Sequence, residues 1–393
     1  MESIGIIHYD EIALKGGNRK IFEDTLVRNV RQKIKHRDLP LEVVNTWGRI
    51  LLVPKENAEW KETYDQDLRT ILSETPGVSV FGFGVVTTRD EEGMKKAVLH
   101  LAESKADTFE TFRVTTTRLD KTYPDTSPEI DKRVGGYVYE FFNGTKKVQL
   151  KKADANIRIE ILETKIYVYI KEKGISGLPV GSSGNAVALL SGGFDSPVAT
   201  YMCATRGVTP LLMHFHAYPQ TSRAAIEKVE DLAKVLSDVC GPLKLAMVPL
   251  LDAQKEIALV APEKLRVILY RRLMMRVAEE WGKKHKAKAL ITGESVGQVA
   301  SQTLENMGAV ENATTLPVLR PLAGMNKQEI IDRARVIGTH DISVLPHDDT
   351  CTVFMPKHPE TKAKLEDVLA AEALYDSSKL VADMIQKIEV QIV

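Results

Sequence analysis

The sequence predicts a multidomain chain of mixed class, α+β over roughly its first 173 residues and then an α/β domain built on a doubly wound parallel sheet. Three observations predict this. A chain of 393 residues is too long for one ordinary core. The first part arranges strands and helices as two short α+β runs. The last part interleaves continuous apolar strands with amphipathic helices, as a parallel sheet covered on both faces requires.

The first run opens on "SIGIIHY", a short apolar strand. Ile21, Phe22, Leu26, Val30 and Ile34 then recur at helical spacing over 18–35. "LEVVNTWGRILLVP" reads as two strands turning at 46–48, a polar helix follows over 60–72, and "VSVFGFGVVTT" closes the run with a strand. The order strand, helix, strand, strand, helix, strand is that of a small sandwich of ferredoxin-like type. The second run, about 88–172, holds a helix over 91–104, the strand "TFRVTTTRL" and a helix over 128–142. It ends in two alternating strands, "ANIRIEIL" and "KIYVYIKE", joined as a hairpin at 163–164. "EKGISGLPVGSSGN" reads as a linker. Beyond it, "AVALLS", "TPLLMHFH", "LKLAMVPL", "AKALITGE" and "TLPVLRPL" supply the parallel strands, and helical stretches fill 363–388. Right-handed crossovers make such a sheet doubly wound, with its ligand site at the carboxyl ends of the strands.

Apolar residues make up 44% of the chain and charged residues 27%, the proportions of a globular protein. No apolar stretch is long enough for a membrane span, and the N-terminus has no basic segment leading into a long apolar one. Cys203, Cys240 and Cys351 are widely spaced and odd in number, which argues against a disulfide framework and for a reducing, cytoplasmic setting. No C-x-x-C occurs, so no metal site is expected. Net charge is zero, unlike that of a strongly basic nucleic-acid binder. Basic residues do cluster locally, at Lys15, Arg19, Lys20, Arg28, Arg31, Lys33, Lys35 and Arg37, and again at Lys146, Lys147, Lys151, Lys152 and Arg158. Each cluster alone reads as a solvated face; two in one half of the chain suggest a surface that follows phosphates.

The stretch "AVALLSGGFDSPVATYM" carries the clearest chemistry. An apolar strand stops at Ser191, two glycines follow, and Asp195, Ser196 and Pro197 open a helix. Gly192 and Gly193 can take positive φ and let a phosphate reach the backbone. Ser191 and Ser196 offer hydroxyls, Pro197 suits a first helical turn, and the free N–H groups at the helix start favour an anion. The bland alternative is a glycine turn that only joins strand to helix. The spacings G-x-x-x-x-G-K-[ST] and G-x-G-x-x-G are both missing, which excludes a Walker loop and a dinucleotide fingerprint.

S-G-G-x-D-S resembles the PP-loop of the ATP pyrophosphatases, which split ATP between its α- and β-phosphates to adenylate a substrate. The stretches "DEIALKGGNRKIFE", "LPVGSSGNAVALLSGGFDSPVA", "MHFHAYPQTS", "TGESVGQVASQTLENM", "LRPLAGMNKQEII" and "HDDTCTVFMPKHPETK" occur in that order. Together they closely resemble the tRNA 4-thiouridine synthetase family over nearly the whole chain. The resemblance implies a ferredoxin-like domain over 1–75, a THUMP RNA-binding domain over 76–173 and a PP-loop domain over 174–393. It implies replacement of the C4 oxygen of the uridine at position 8 of tRNA by sulfur. ATP, with Mg²⁺, adenylates that oxygen, and a cysteine persulfide supplies the sulfur as AMP leaves. The family is also tied to thiamine thiazole synthesis.

The resemblance marks ATP contacts at Leu189, Leu190, Ser191, Gly192, Gly193, Ser196, His214, Phe215, Arg271, Gly293 and Gln302. Backbone groups of Leu190 and Phe215 could read the adenine edge, although all four of Leu189, Leu190, His214 and Phe215 also read as core. Gly293 ends a strand where a ligand could approach the backbone. Arg271 and Arg272 point to different helix faces; Arg271 is the site cation and Arg272 reads as a salt-bridged surface residue. Lys327 sits at a helix start, awkward for the dipole, and the resemblance makes it a catalytic-site lysine stabilising charge at the α-phosphate. Asp195 either orients Mg²⁺ and the loop or caps the helix. Cys351, in a polar loop, is by resemblance the sulfur-transferring nucleophile. Cys203 reads as a small buried hydrophobe, and Cys240 lies at a helix end where the dipole opposes a thiolate.

For tRNA, the candidates are Lys15, Arg19, Lys20, Arg118, Lys121, Lys151 and Lys152. Some family members carry a C-terminal rhodanese domain. This chain ends at Val393 without one, so the expectation is a separate sulfur donor, a cysteine desulfurase or a free rhodanese. A homodimer is expected by resemblance. Two other classes stay open on the sequence: an RNA-binding protein that only senses nucleotide, and another adenylating enzyme of the PP-loop group.

Overall fold

The computed structural model describes residues 1–346 and 354–393. The chain forms two compact units, Met1–Leu178 and Pro179–Val393.

The first unit contains β1 (Glu2–His8), α1 (Arg19–His36), β2 (Leu41–Thr46), β3 (Arg49–Pro54), α2 (Tyr64–Ser73), β4 (Val80–Thr88) and α3 (Glu91–Ser104). It continues through β5 (Thr111–Arg118), α4 (Ser127–Phe141), β6 (Lys147–Val148), β7 (Ala155–Ile161) and β8 (Lys165–Lys173). The strands were expected as two separate runs. They instead form one eight-stranded sheet, in the order β2-β3-β1-β4-β8-β7-β5-β6. The join is β4, which pairs antiparallel with β1 on one side and β8 on the other, so that Phe81 lies between Ile7 and Glu172. Alternation decides which side chains meet the helices. Ile157, Ile159, Ile166 and Val168 pack with Val98 of α3 and Val134 of α4, while Tyr167 and Tyr169 point to the opposite face. Gly82 makes room there, because a Cβ at that position would lie 2.4 Å from the Tyr169 ring. The same face buries Glu160, whose carboxylate is met by His8 at 2.8 Å, Arg49 at 2.5 Å and the Tyr169 hydroxyl at 2.8 Å.

The second unit runs β9 (Asn185–Leu189), α5 (Asp195–Ala204), β10 (Thr209–His216), α6 (Arg223–Cys240), β11 (Lys244–Pro249), α7 (Leu251–Val260) and α8 (Arg266–Lys284). It ends with β12 (Ala287–Ile291), α9 (Leu304–Glu311), β13 (Val318–Leu319), α10 (Lys327–Val336), α11 (His340–Val344), α12 (Leu365–Glu372), α13 (Ser377–Gln386) and β14 (Glu389–Ile392). Its sheet order is β13-β12-β9-β10-β11-β14. Val187 and Met213 face one core and Ala188 and Leu212 the other, as a doubly wound sheet demands. The expected all-parallel sheet needs one correction: β14 runs antiparallel along β11, with Ala246 opposite Val390. No helix of the described residues is long and apolar enough to cross a membrane.

Arg272 overturns its surface reading. It is 0% exposed and holds Glu372 at 2.7 Å, while Arg276 meets the same carboxylate at 2.9 Å. A guanidinium can be buried on α8 only because α12 returns 100 residues later with its counter-charge.

Candidate functional site

The strand order reverses at β9, with β10 on one side and β12 on the other, and a crevice opens beyond their carboxyl ends. It is a cavity of about 430 Å³. Its walls include Leu189, Leu190, Ser191, Gly192, Gly193, Ser196, His214, Phe215, Arg271, Gly293 and Gln302, every residue expected from the sequence to meet ATP, together with Asp195. These positions span more than a hundred residues of sequence and are gathered here by three strand ends, the start of α5 and one face of α8.

The bend between β9 and α5 differs in detail from the expectation. Neither Gly192 nor Gly193 is among the glycines with positive φ. What a side chain at Gly193 would take is open space, since its nearest neighbour would be Ser191 Oγ at 3.8 Å. Ser196 does not present a free hydroxyl: its Oγ accepts from the Ser191 N–H at 2.8 Å and lies 3.0 Å from Ser191 Oγ. The hydroxyl closes the bend and fixes the helix start beneath it. Gly293 is likewise required for a different approach. A Cβ there would lie 2.6 Å from the Ser196 nitrogen, so the glycine lets α5 abut the end of β12. The Leu190 N–H is spent on the Met213 carbonyl at 2.8 Å, and the Leu190 carbonyl lies 2.9 Å from His214 Nδ1. Leu190 therefore has no N–H left to read a purine edge. His214 and Phe215 are both buried, and Phe215 belongs to the core while also reaching the cavity wall.

Charge is arranged in two groups. At the mouth, Asp195 takes Lys327 Nζ at 2.8 Å on one oxygen and the Gln298 amide at 2.9 Å on the other. Lys327 also lies 5.2 Å from the centre of the Phe194 ring. Lys327 is the first residue of α10, which is capped by Asn326 and Glu329. Deeper in, Arg271 donates to the Ser301 carbonyl at 3.1 Å and to Glu294. Glu294 is 2% exposed and also receives Arg320 at 2.6 Å and Thr292 at 2.9 Å. Burial opposes its ionisation, but Arg271 and Arg320 outweigh it and hold the carboxyl below its usual range. Gln302 carries a buried side-chain oxygen with no partner among the described residues.

Glu294, Gln298 and Arg320 were not singled out in the sequence. The available signal was the acid directly after the strand-ending glycine in "TGES". Cys351, with Asp348 and Asp349, lies outside the described residues. Cys203 is buried as expected, and burial pushes its thiol up to about 11. Cys240 is half-buried at the end of α6. No cluster of His, Cys, Asp and Glu among the described residues could hold a metal ion.

The tRNA candidates all belong to the first unit. Lys20, Lys121, Lys151 and Lys152 are exposed. The Gln149 amide donates to the carbonyls of Lys151 and Lys152 at 2.8 and 2.9 Å and holds their loop. Lys15 lies 5.0 Å from the centre of the Phe22 ring. Two cations are committed internally. Arg19 holds Glu23 at 2.7 Å and the Tyr9 hydroxyl at 3.0 Å. Arg118 donates to the carbonyls of Tyr123 and Asp125 at 3.0 and 2.9 Å, pinning the turn that carries Lys121.

Comparison with known proteins finds three family matches: a ThiI ferredoxin-like domain over 4–81, a THUMP domain over 88–171, and the thiamine biosynthesis protein ThiI over 181–376. The chain is 40% identical to a probable tRNA sulfurtransferase of Halothermothrix orenii, covering 99% of this chain and 98% of the relative. It is 41% identical to one of Thermus thermophilus, covering 99% and 94%. Among solved structures, a 4-thiouridine synthetase in complex with RNA and bound ATP matches with a TM-score of 0.88 at 35% identity, over 100% of both chains.

Proposed function

The chain belongs to the ThiI family of tRNA sulfurtransferases, and from that premise we propose that it is the enzyme that makes 4-thiouridine at position 8 of tRNA. It is an ATP-dependent tRNA sulfurtransferase; a part in thiamine biosynthesis is a property of the family.

The observation that carries the reading is the cavity at the ends of β9, β10 and β12, whose walls bring together the residues expected from the sequence to meet ATP. The fit is chemical as well as spatial. The orphan oxygen of Gln302 is an acceptor for a purine amino group. The start of α5 directs backbone N–H groups at the bend, where Gly193 leaves room for a phosphate. Magnesium brought with the triphosphate would be held by Asp195 only in exchange for Lys327 or the Gln298 amide, which occupy its two oxygens, and would supply charge neutralisation at the phosphates.

A carbonyl oxygen is a poor leaving group. ATP supplies an adenylyl group to the uridine C4 oxygen, and diphosphate departs. Lys327 stabilises the charge that builds on the α-phosphate, and Asp195 holds its ammonium in place. Cys351, as a persulfide, then attacks C4 with its terminal sulfur, and AMP leaves. A thiol brought by the donor opens the remaining S–S bond, which frees the thiolated base and leaves Cys351 in a mixed disulfide. The donor is a separate protein, a cysteine desulfurase or a free rhodanese. The exposed lysines Lys20, Lys121, Lys151 and Lys152, with Lys15, meet RNA phosphates, while Arg19 and Arg118 shape the surface that carries them. The working form is a homodimer in the cytoplasm, with domains over 1–75, 76–173 and 174–393.

The test is diphosphate release and thionation on an unmodified tRNA transcript. Release that needs tRNA, and thiolated product that needs Cys351 when a desulfurase is the donor, are the expected results. Release independent of tRNA favours another adenylating activity, and none with a competent donor favours a nucleotide sensor.

A further inference from the structure

The ATP cavity contains an acid whose role the reaction does not explain. Glu294 stands at the wall directly after Gly293, buried, with an arginine on each carboxylate oxygen. A buried carboxylate beside an anionic ligand repels it, so its presence needs a reason. The two arginines give one. Arg271 lines the cavity, while Arg320 is not among the lining residues. Arg320 is further held by Glu311 at 2.5 Å, on α9. Glu294 and the Ser301 carbonyl thus seize two nitrogens of the Arg271 guanidinium from two directions and fix its plane. Arg320 answers the other Glu294 oxygen and is itself paired with the half-exposed Glu311, so the cluster of two arginines and two carboxylates is formally neutral and the charge of Arg271 is not the only one that balances Glu294. Paired with Glu294 alone, Arg271 would be held but neutralised.

We propose that Glu294 is a positioning residue for ATP, locking the Arg271 guanidinium at the cavity wall while Arg320 offsets its charge. This rests on the reading of the cavity as the ATP site.

The experiment is a double-mutant cycle on MgATP affinity, measured by titration calorimetry on the full chain, with Glu294→Gln, Arg271→Met and both together. Glu294→Gln is expected to weaken ATP binding about tenfold in the native background and less than about twofold when Arg271 is already Met. Glu294→Asp, which keeps the charge, is expected to restore most of the affinity. Arg320→Met is expected to weaken ATP binding while the tRNA affinity of the first unit stays unchanged. An equal loss from Glu294→Gln in both backgrounds, or no loss in the native one, overturns the proposal, because a merely structural acid would not depend on Arg271. Should Glu294→Gln fail to fold, the cycle is run with Glu294→Asp, where a loss of about threefold that vanishes without Arg271 carries the same meaning. A native protein that binds no ATP overturns both this proposal and the cavity's assignment, whereas binding without coupling overturns this one alone.

Discussion

Lys327 and Asp195, 132 positions apart in sequence, meet at 2.8 Å where the starts of α10 and α5 converge at the mouth of the cavity. A lysine at the first position of a helix opposes the dipole, and an aspartate at the first position of another is favoured by it. Their pairing sets the unfavourable cation against the favourable anion. Gln298 holds the second carboxylate oxygen at 2.9 Å, which leaves Asp195 little freedom to turn away.

Removing the ammonium should therefore act on chemistry. Lys327→Ala is expected to slow tRNA-dependent diphosphate release by about 10²- to 10³-fold with little change in ATP affinity. Asp195→Asn frees the lysine without deleting it and is expected to slow release by about tenfold or more. Steady-state rates across an ATP series check both; a raised KM with kcat unchanged would count against the assignment.

The three cysteines should separate by reactivity. Cys203 is buried with its thiol pushed up to about 11, so at pH 8 only about one molecule in a thousand carries a thiolate there. Iodoacetamide at pH 8 is expected to label Cys351 first and leave Cys203 untouched until the protein unfolds, as read by peptide mass spectrometry. Cys351→Ser is expected to abolish desulfurase-dependent thionation while diphosphate release continues.

Acid should loosen the first unit through Glu160. Burial favours its neutral form, but the bonds from His8, Arg49 and Tyr169 win and bring it from an ordinary 4.5 to about 2. A folded-state value below the unfolded one means the stabilisation is complete above about pH 4.5 and is lost as pH falls through about 2. Its size is on the order of 3 kcal/mol. Glu160→Gln is expected to destabilise the protein by about 3–5 kcal/mol at pH 7, because Arg49 stays buried without its partner. Urea unfolding at pH 7 and pH 3 checks this; the gap between variant and native protein should narrow at the lower pH.

Charge reversal of the 151–152 loop should act on RNA alone. Lys151→Glu with Lys152→Glu is expected to weaken tRNA binding and to flatten its dependence on salt, the logarithmic slope falling by about one for each phosphate that is no longer neutralised. Filter binding across a salt series reads the slope, and an unchanged affinity would remove the loop from the RNA footprint.

What the sequence made legible follows from the range of each signal. Strict alternation in "ANIRIEIL" and "KIYVYIKE" gave β7 and β8 because a period of two is local. The bend at 191–196 was legible for the same reason. The pairing of β4 with β8 was not, since strands about eighty residues apart leave no mark on one another's composition. Nor was β14, whose four residues are too few to show a period. Glycine reasoning missed the backbone at Gly193, whose φ is not positive, and missed a neighbour at Gly293. A Cβ at Gly193 would meet only open space, whereas one at Gly293 would strike α5, and the two cases look alike in sequence. Arg272 was misplaced because its partner Glu372 lies 100 residues downstream.

The seam at β4 makes the N-terminal half a ruler. With hydrogen bonds running unbroken from β2 to β6, no swivel exists between the part that begins the chain and the part that ends near Lys173. Cations at the start of α1 and in the 151–152 loop therefore sit on one continuous sheet, and if both meet RNA, as proposed, their spacing is set by the protein. Elasticity within the first unit's grip must then come from the nucleic acid, not from the sheet.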